Sequence, residues 1–492
     1  MRSPSRFFRP TQFVGLVLVG LALLIGGVAG GAEGASSSTQ TAAASIPTWG
    51  NLYDWPNGHG YVGWHAASSS PGDYGMQPAL GGGSGLWLWA KGGQHVYTKS
   101  DYAEWTYTAP GTTRLQSMTL SFAYRNKLLA HHCIEIGFRT LAGALITHQD
   151  FCQPAHPPDS QDLTNVSLDD PAPSAPSSKV LYLRIHVDCG GAATCTKTIP
   201  QLDPLATGGY VRFLKVAMTL VDDDNPVAQP SGPLWDIRDH YVDGTSDYAV
   251  TLDATDAGSG IASSSLTHAS KYPESTKVVG GRTAPCDPLH NTPALDNRIC
   301  PPEFSWQTTV DTNPYPEGPN TFTESATDMA DNVGTNSWTI YIDRTPPDAV
   351  DVSGSLYDDA GLTIGGTTPE SLTISAHDPG ADVEKASGIG RVWLEEQSQG
   401  VVGEASNPDC TDTKCPDTFS SDFVIDLTAY PEGTYTFTAY ASDLVGHVTT
   451  GPTWTVTIDR SEPPDTDTGP DDSAIPPGTD PGFVGGGADD YD

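Results

Sequence analysis

Base is what this chain has least of. Lys and Arg number 24 against 60 Asp and Glu, a formal net charge of −36 over 492 residues. A surface that negative excludes a nucleic-acid backbone as partner, because phosphates need a basic face. Catalytic signatures are missing as well. The 13 histidines form no H-E-x-x-H or comparable spacing. Gly82-Gly83-Ser84-Gly85 runs into Leu86 and makes no nucleophile elbow. Carboxylates are so plentiful that a glycosidase pair can be imagined anywhere and nominated nowhere. His131 and His132 beside Cys133 and Glu135 invite a metal or hydrolase reading, yet neighbours on a strand point to opposite faces. We expect a structural role for them and no enzyme.

Long apolar runs are also scarce. One extends from Phe13 to about Ala32, behind Arg2, Arg6 and Arg9 and ahead of Gly34 and Ala35. That pattern makes residues 1–35 a signal peptide, or an N-terminal membrane anchor, since the run is just long enough to span a bilayer. Either way the rest is exported, to the cell surface or beyond, and membrane contact is confined to this segment. Residues 36–46 are Ala/Ser/Thr-rich linker. At the other end the chain from Glu462 carries nine acids and no base, with much Pro and Gly, so 464–492 is expected to be a disordered acidic tail.

Export gives the eight cysteines their meaning. They fall into close pairs: Cys133 with Cys152, Cys189 with Cys195, Cys286 with Cys300, Cys410 with Cys415. No C-x-x-C knuckle is present for a metal. Four local disulfides are predicted.

No stretch carries a sustained helical period. Instead, short β-rich runs such as Trp105-Thr106-Tyr107 and Val180–Val187 recur between Gly/Pro punctuation, which predicts an all-β protein. Residues 47–224 read as a β-sandwich, most like a jelly roll, with Asp159–Ser178 an exposed loop. Two closely similar stretches follow. Cys300-Pro301, Tyr315-Pro316-Glu317-Gly318, Asp328, Trp338 and Asp343-Arg344 return as Cys415-Pro416, Tyr430-Pro431-Glu432-Gly433, Asp443, Trp454 and Asp459-Arg460. A repeat this long is a pair of whole domains, 225–346 and 347–463, each expected to be a seven-strand sandwich.

Asp256-Ala257-Gly258-Ser259-Gly260-Ile261, Ala326-Thr327-Asp328-Met329-Ala330-Asp331-Asn332 and Asp343-Arg344-Thr345-Pro346-Pro347 together resemble bacterial Ig-like repeats. The second copy keeps Asp443 but reads Leu-Val-Gly-His at the following turn, and there departs from the pattern. The resemblance covers residues 226–464, about half the chain. Such domains occur in bacterial surface and secreted proteins, including ahead of Rhs/YD-repeat regions. It implies an Ig-like fold and extended presentation, adhesion or binding without catalysis. For the N-terminal domain the likeness is to concanavalin-type jelly rolls, and it rests on class alone.

Three readings of function follow. The first is an exported, non-enzymatic binding or adhesion protein, with a sandwich head displayed on two Ig-like spacers. The second is the non-catalytic front of a larger Rhs-type or toxin-delivery protein, and the third a secreted glycan-active enzyme with accessory modules. For the head, Tyr53, Trp55, Tyr61 and Trp64 are candidate platforms for a polysaccharide or cell-envelope glycan, against the alternative that they are core. No cofactor is implied beyond structural calcium. Asp256, Asp343 and Asp348 are its candidate ligands at the 343–348 junction, against the alternative that such aspartates only cap Asx-turns.

Overall fold

The computed structural model describes residues 48–461, apart from 56–57, 81–83, 126–131, 153–159, 171–177, 200–209, 292–294, 296 and 379–383. The N-terminal export segment, the linker, the acidic tail and His131 lie outside the described residues. Among those described, no helix is long and apolar enough to cross a membrane.

Among the described residues the head is built of strands, apart from single 3-10 positions at Trp55 and Leu80. Its elements are β1 (Thr48–Asp54), β2 (Trp64–Ser68), β3 (Tyr74–Pro78), β4 (Leu86–Ala90), β5 (Gly93–Thr98), β6 (Tyr102–Thr108) and β7 (Arg114–Arg125). They continue with β8 (His132–Arg139), β9 (Leu145–Phe151), β10 (Ser160–Asp169), β11 (Val180–Val187), β12 (Thr194–Ile199) and β13 (Tyr210–Val221). One sheet is ordered β10-β7-β13-β4-β3, with β1 also on β13, and the other β2-β6-β11-β8-β9. Alternation decides what each sheet buries. On β11, Leu181, Leu183, Ile185 and Val187 enter the shared core, so Tyr182, Arg184 and His186 face the other way. The expected loop at Asp159–Ser178 needs correction. Its first half is β10, paired antiparallel with β7, and Val166 and Leu168 pack on the core. Two apolar residues spaced for one strand face outweigh the polar residues around them.

The two following domains share one plan. The first comprises β14 (Val227–Ser231), β15 (Tyr241–Val242), β16 (Asp247–Thr255), β17 (Ile261–Lys271), β18 (Glu274–Thr283), β19 (Glu303–Asp311), β20 (Gly318–Asp328) and β21 (Val333–Ile342). The second comprises β22 (Ala349–Ser353), β23 (Thr363–Ile364), β24 (Glu370–His377), β25 (Ile389–Glu396), β26 (Gly400–Ser406), β27 (Thr418–Ile425), β28 (Gly433–Asp443) and β29 (Val448–Ile458). In each, three strands (β14-β16-β19; β22-β24-β27) face five (β15-β21-β20-β17-β18; β23-β29-β28-β25-β26). The strand beyond the seven expected is a two-residue piece lying parallel to the last strand. The chain is a tandem Ig-like β-sandwich protein behind a β-sandwich head.

The residues repeated in sequence prove to hold each sandwich shut. A single helical turn, Pro233–Asp236 or Ser355–Asp358, plugs one end with a fully buried Leu234 or Leu356. The glycine before the second turn is required: Gly354 has φ +111°, and a Cβ there would meet the Ser371 carbonyl at 2.7 Å. Arg344 donates from Nη1 to the Tyr315 carbonyl at 2.8 Å, and Arg460 does the same to Tyr430 at 2.8 Å. The glutamate of each Tyr-Pro-Glu-Gly turn accepts the arginine's backbone N–H. That reciprocal pairing explains why these residues recur together.

Head and first Ig-like domain share packing. The head's core cluster takes in Ile299, Cys300 and Ala330 of the next domain. The means is the segment between β18 and β19, which the Cys286–Cys300 disulfide ties into a loop. In the second domain the corresponding cysteines, Cys410 and Cys415, are only 5 apart instead of 14. The longer loop reaches the head. The Leu289 carbonyl accepts from Gly60 N at 2.6 Å, the His290 ring stacks on Tyr53 at 4.1 Å, and Asn297 Nδ2 donates to the Thr108 carbonyl at 3.1 Å.

Candidate cation sites at the domain junctions

The head and the first Ig-like domain each end on an aspartate that belongs, structurally, to the domain after it. Asp222 follows β13 and is 1 % exposed; Asp343 follows β21 and is fully buried. Around each lie two loops of the next sandwich, one between its B- and C-type strands (β16 to β17, β24 to β25) and one between its last two strands.

At the first junction Asp222, Asp256 and Asp328 are all buried, and each offers a carboxylate oxygen within 4.8 Å of the others. Asp256 Oδ2 accepts from Gly258 N at 3.1 Å and Gly260 N at 2.5 Å, while Ser259 N between them donates to Asp222 Oδ2 at 2.6 Å. Asp328 Oδ1 accepts from Ala330 N and Asn332 N, and its Oδ2 from Asn332 Nδ2. The Asn332 amide also donates to the Asp222 carbonyl at 3.0 Å. Burial, with the Asp222 charge beside it, raises the Asp256 carboxyl above its ordinary range. Burial likewise pushes Asp328 up to about 6.

The second junction repeats the turn capping, but the groups within 4.8 Å of one another there are Asp343, Asp443 and His447. Asp343 Oδ2 accepts from Ser387 N at 2.8 Å, Asp378 Oδ2 from Gly388 N at 2.8 Å, and Asp443 Oδ1 from Gly446 N and His447 N. His447 stands where Asn332 stands in the first copy, and its Nδ1 lies 2.8 Å from Asp443 Oδ2. Gly446, at φ +98°, replaces Asp331, at φ +66°. The Leu-Val-Gly-His departure therefore preserves the turn. Asp378 is pushed up to about 7 by burial and by the charges of Asp343 and Asp443.

These carboxylates cap Asx-turns, yet turn capping leaves oxygens over. Asp256 Oδ1, Asp378 Oδ1, Ser259 Oγ and Ser387 Oγ are buried without a hydrogen-bond partner. An orphaned buried oxygen is costly, and the same orphans occur at corresponding places in both junctions. The all-oxygen donor set of the first junction fits a hard divalent cation such as calcium, which takes six to eight oxygens; at the second, the His447 ring lies against Asp443 and the oxygens of Asp343, Asp378 and Asp443 are the corresponding donors.

The expected ligand set is corrected by this geometry. Asp256 and Asp343 belong to different junctions, and Asp348 joins neither: it is half exposed and pairs with His377 Nδ1 at 3.1 Å. A closing acid reaches forward to the loops of the next domain, not back to its own. The role of Asp222 went unseen because the head has no repeat to align with. Its signal was its position, one domain end ahead of Asp343.

The four head aromatics are also displaced from the role expected of them. Tyr53, Trp55 and Trp64 are buried at 0, 2 and 6 % exposure, and Tyr61 stacks on Trp55 at 5.8 Å. His290 of the next domain stacks on Tyr53, so the buried Tyr53, Trp55 and Trp64 offer a glycan no platform. His132, also in the head, packs edge-on against Tyr74 and Tyr97. All four disulfides form as the spacing predicts, and no cysteine is free, in keeping with an oxidising compartment.

No family model matches the chain, and neither does any curated protein. Solved structures with a similar arrangement include the fibronectin(III)-like modules of Clostridium thermocellum CbhA, 11 % identical over 47 % of this chain and 94 % of that one, with a TM-score of 0.22. A 1.5-MDa bacterial ice-binding adhesin, described for host cell surface retention, is 12 % identical over 73 % and 91 %, at TM-score 0.28. A Ca2+-stabilized adhesin from an Antarctic bacterium, which binds ice, is 12 % identical over 75 % of each chain, at TM-score 0.24. At such scores these likenesses say nothing of what this chain binds.

Proposed function

We propose that this is an exported, non-catalytic surface protein of the binding or adhesion kind, in which two calcium-braced junctions hold a sandwich head on a stiff pair of Ig-like domains. One observation carries the reading: a buried acidic cluster is built at both junctions, Asp222, Asp256 and Asp328 at the first and Asp343 and Asp443 with His447 at the second, and corresponding oxygens of Asp256 and Asp378 and of Ser259 and Ser387 are orphaned beside it. A fold that needed only turn caps has no use for three acids facing one another in a buried site. A cation there neutralises the cluster, lowers the cost of ionising it and locks adjacent domains at one angle, which is what a presenter requires. Recognition then falls to surfaces of the head other than the buried Tyr53, Trp55 and Trp64.

The test is thermal unfolding of the full chain in millimolar calcium and in chelator. Binding to the folded state alone adds about 2.7 kcal/mol per site at a hundredfold excess over Kd. We expect a melting temperature higher by several degrees in calcium, and most of the rise lost when Asp256→Asn and Asp378→Asn are combined. Equal melting temperatures in calcium and chelator would leave the aspartates as turn caps.

A further inference from the structure

The outer face of the head's five-stranded sheet carries a second cluster of different chemistry. Glu135 on β8 and Asp150 on β9 are direct cross-strand partners, and His148 lies two residues from Asp150 on the same face. Carboxylate and imidazole atoms of Glu135, His148 and Asp150 lie within 4.8 Å of one another. His186 on β11 approaches from the other side, its Nε2 3.8 Å from Asp150 Oδ1, while His148 Nε2 is 3.7 Å from Asp150 Oδ2. We propose that these four residues form a binding site for a zinc-class divalent metal, with two imidazole and two carboxylate ligands.

Three observations converge on this assignment. Like charges directly opposite on neighbouring strands destabilise a sheet unless something lies between them. The separations of 3.7 and 3.8 Å are too long for hydrogen bonds, but they approach the edge of a tetrahedron of metal bonds, roughly 3.4 Å for bonds of about 2.1 Å. His186 Nε2, finally, is buried without a hydrogen-bond partner.

The surroundings fix the ligands. Tyr182 donates its hydroxyl to Glu135 Oε1 at 2.5 Å, crossing over Gly137, where any Cβ would meet that hydroxyl at 2.4 Å. Such a contact orients a ligating carboxylate from behind. Arg184 lies 3.4 Å from Glu135 Oε2 but is held chiefly by Glu104, through Nε at 2.9 Å; Arg139 is bound to Glu104 as well. Asp150 faces the two imidazoles of His148 and His186, at 3.7 and 3.8 Å. The Cys133–Cys152 disulfide ties β9 to β8 next to the site and keeps His148 and Asp150 in register. Because β9 is the sheet edge and His148 and Asp150 are both 41 % exposed, a metal ion can enter the site from solvent.

Cobalt(II) titration of the full chain in excess calcium tests the proposal, since calcium occupies the junction carboxylates, cobalt reports nitrogen ligation by its visible absorption, and a His447→Asn variant removes the one imidazole at the junctions. We expect one equivalent of cobalt, displaced by zinc, and at least tenfold weaker binding in each of His148→Ala, His186→Ala and Asp150→Asn. Both exposed positions tolerate substitution, and the melting temperature of each variant in calcium establishes that it is folded. Asp256→Asn should leave the spectrum unchanged. Absence of the band in the wild-type chain, or a band of full strength in the folded His148→Ala variant, overturns the assignment without bearing on the junctions.

Discussion

Glu324 sits where an Ig-like sandwich should have its core. It is on the inward face of β20, between Phe322 and Ala326, and is fully buried. Ser264 Oγ lies 3.4 Å from its Oε1, and Oε2 has no hydrogen-bond partner. Burial pushes this carboxyl from 4.5 up to about 8. The folded domain therefore keeps a proton that the unfolded chain gives up above about pH 4.5, and stability falls as pH rises from there to about 8. At ~1.4 kcal/mol per pH unit the whole interval is worth about 3–5 kcal/mol, close to a third of a typical domain's stability. Glu324→Gln removes the titration and keeps the shape. Hydrogen exchange of the β17 and β20 amides, followed from pH 5 to 8 in the full chain with intrinsic rates corrected, isolates this domain from its neighbours. The variant should gain protection over wild type progressively across that range and match it near pH 5. A difference that does not change with pH would refute the reasoning, because it would mean that Glu324 titrates alike folded and unfolded.

Two further outcomes are expected. Burial and the nearby His59 hold the His290 imidazole down at about 4, so docking of the 284–302 loop on the head should be intact above pH 6.5 and lost as pH falls through about 4. His290→Phe, which keeps the stack on Tyr53, should abolish that acid-dependent loss as read by Tyr/Trp fluorescence. Under chelator, limited proteolysis should cut at 343–348 before 222–226. The first junction keeps its loop docking, whereas at the second Lys271–Glu384 is an exposed ion pair that solvent screens; simultaneous cleavage would contradict this.

How much of this was legible in the sequence depends on whether a feature repeats. The Tyr-Pro-Glu-Gly turns, the Asp-Arg closures and the paired cysteines stand in two copies, and comparing copies shows which residues matter to the fold. The cation sites were only half legible, because each joins residues from two domains: Asp343 had to be grouped forward with Asp378 and Asp443, a step no local pattern dictates. The aromatic quartet misled for a similar reason. Tyr53 to Trp64 look like an exposed loop set until the 284–302 loop is placed upon them, and only the longer Cys286–Cys300 interval, 14 against 5, hinted that the first repeat carries something the second does not. The cluster at Glu135, His148, Asp150 and His186 spans three strands and has no sequence spacing at all.

Set side by side, the two Ig-like domains divide the work. The second is the plain form. Its core is one unbroken cluster, with Val392 and Ala439 where the first has Ser264 and Glu324, its disulfide loop is short, and its closing Asp459 is exposed. The first departs from that form in its core, which Glu324 splits into two clusters, and at the end facing the head, where the long loop contributes Ile299 and Cys300 to the head's own core. A spacer that merely carried the head would not share a core with it. The head and the first Ig-like domain thus share one continuous core, and the second domain keeps a core of its own.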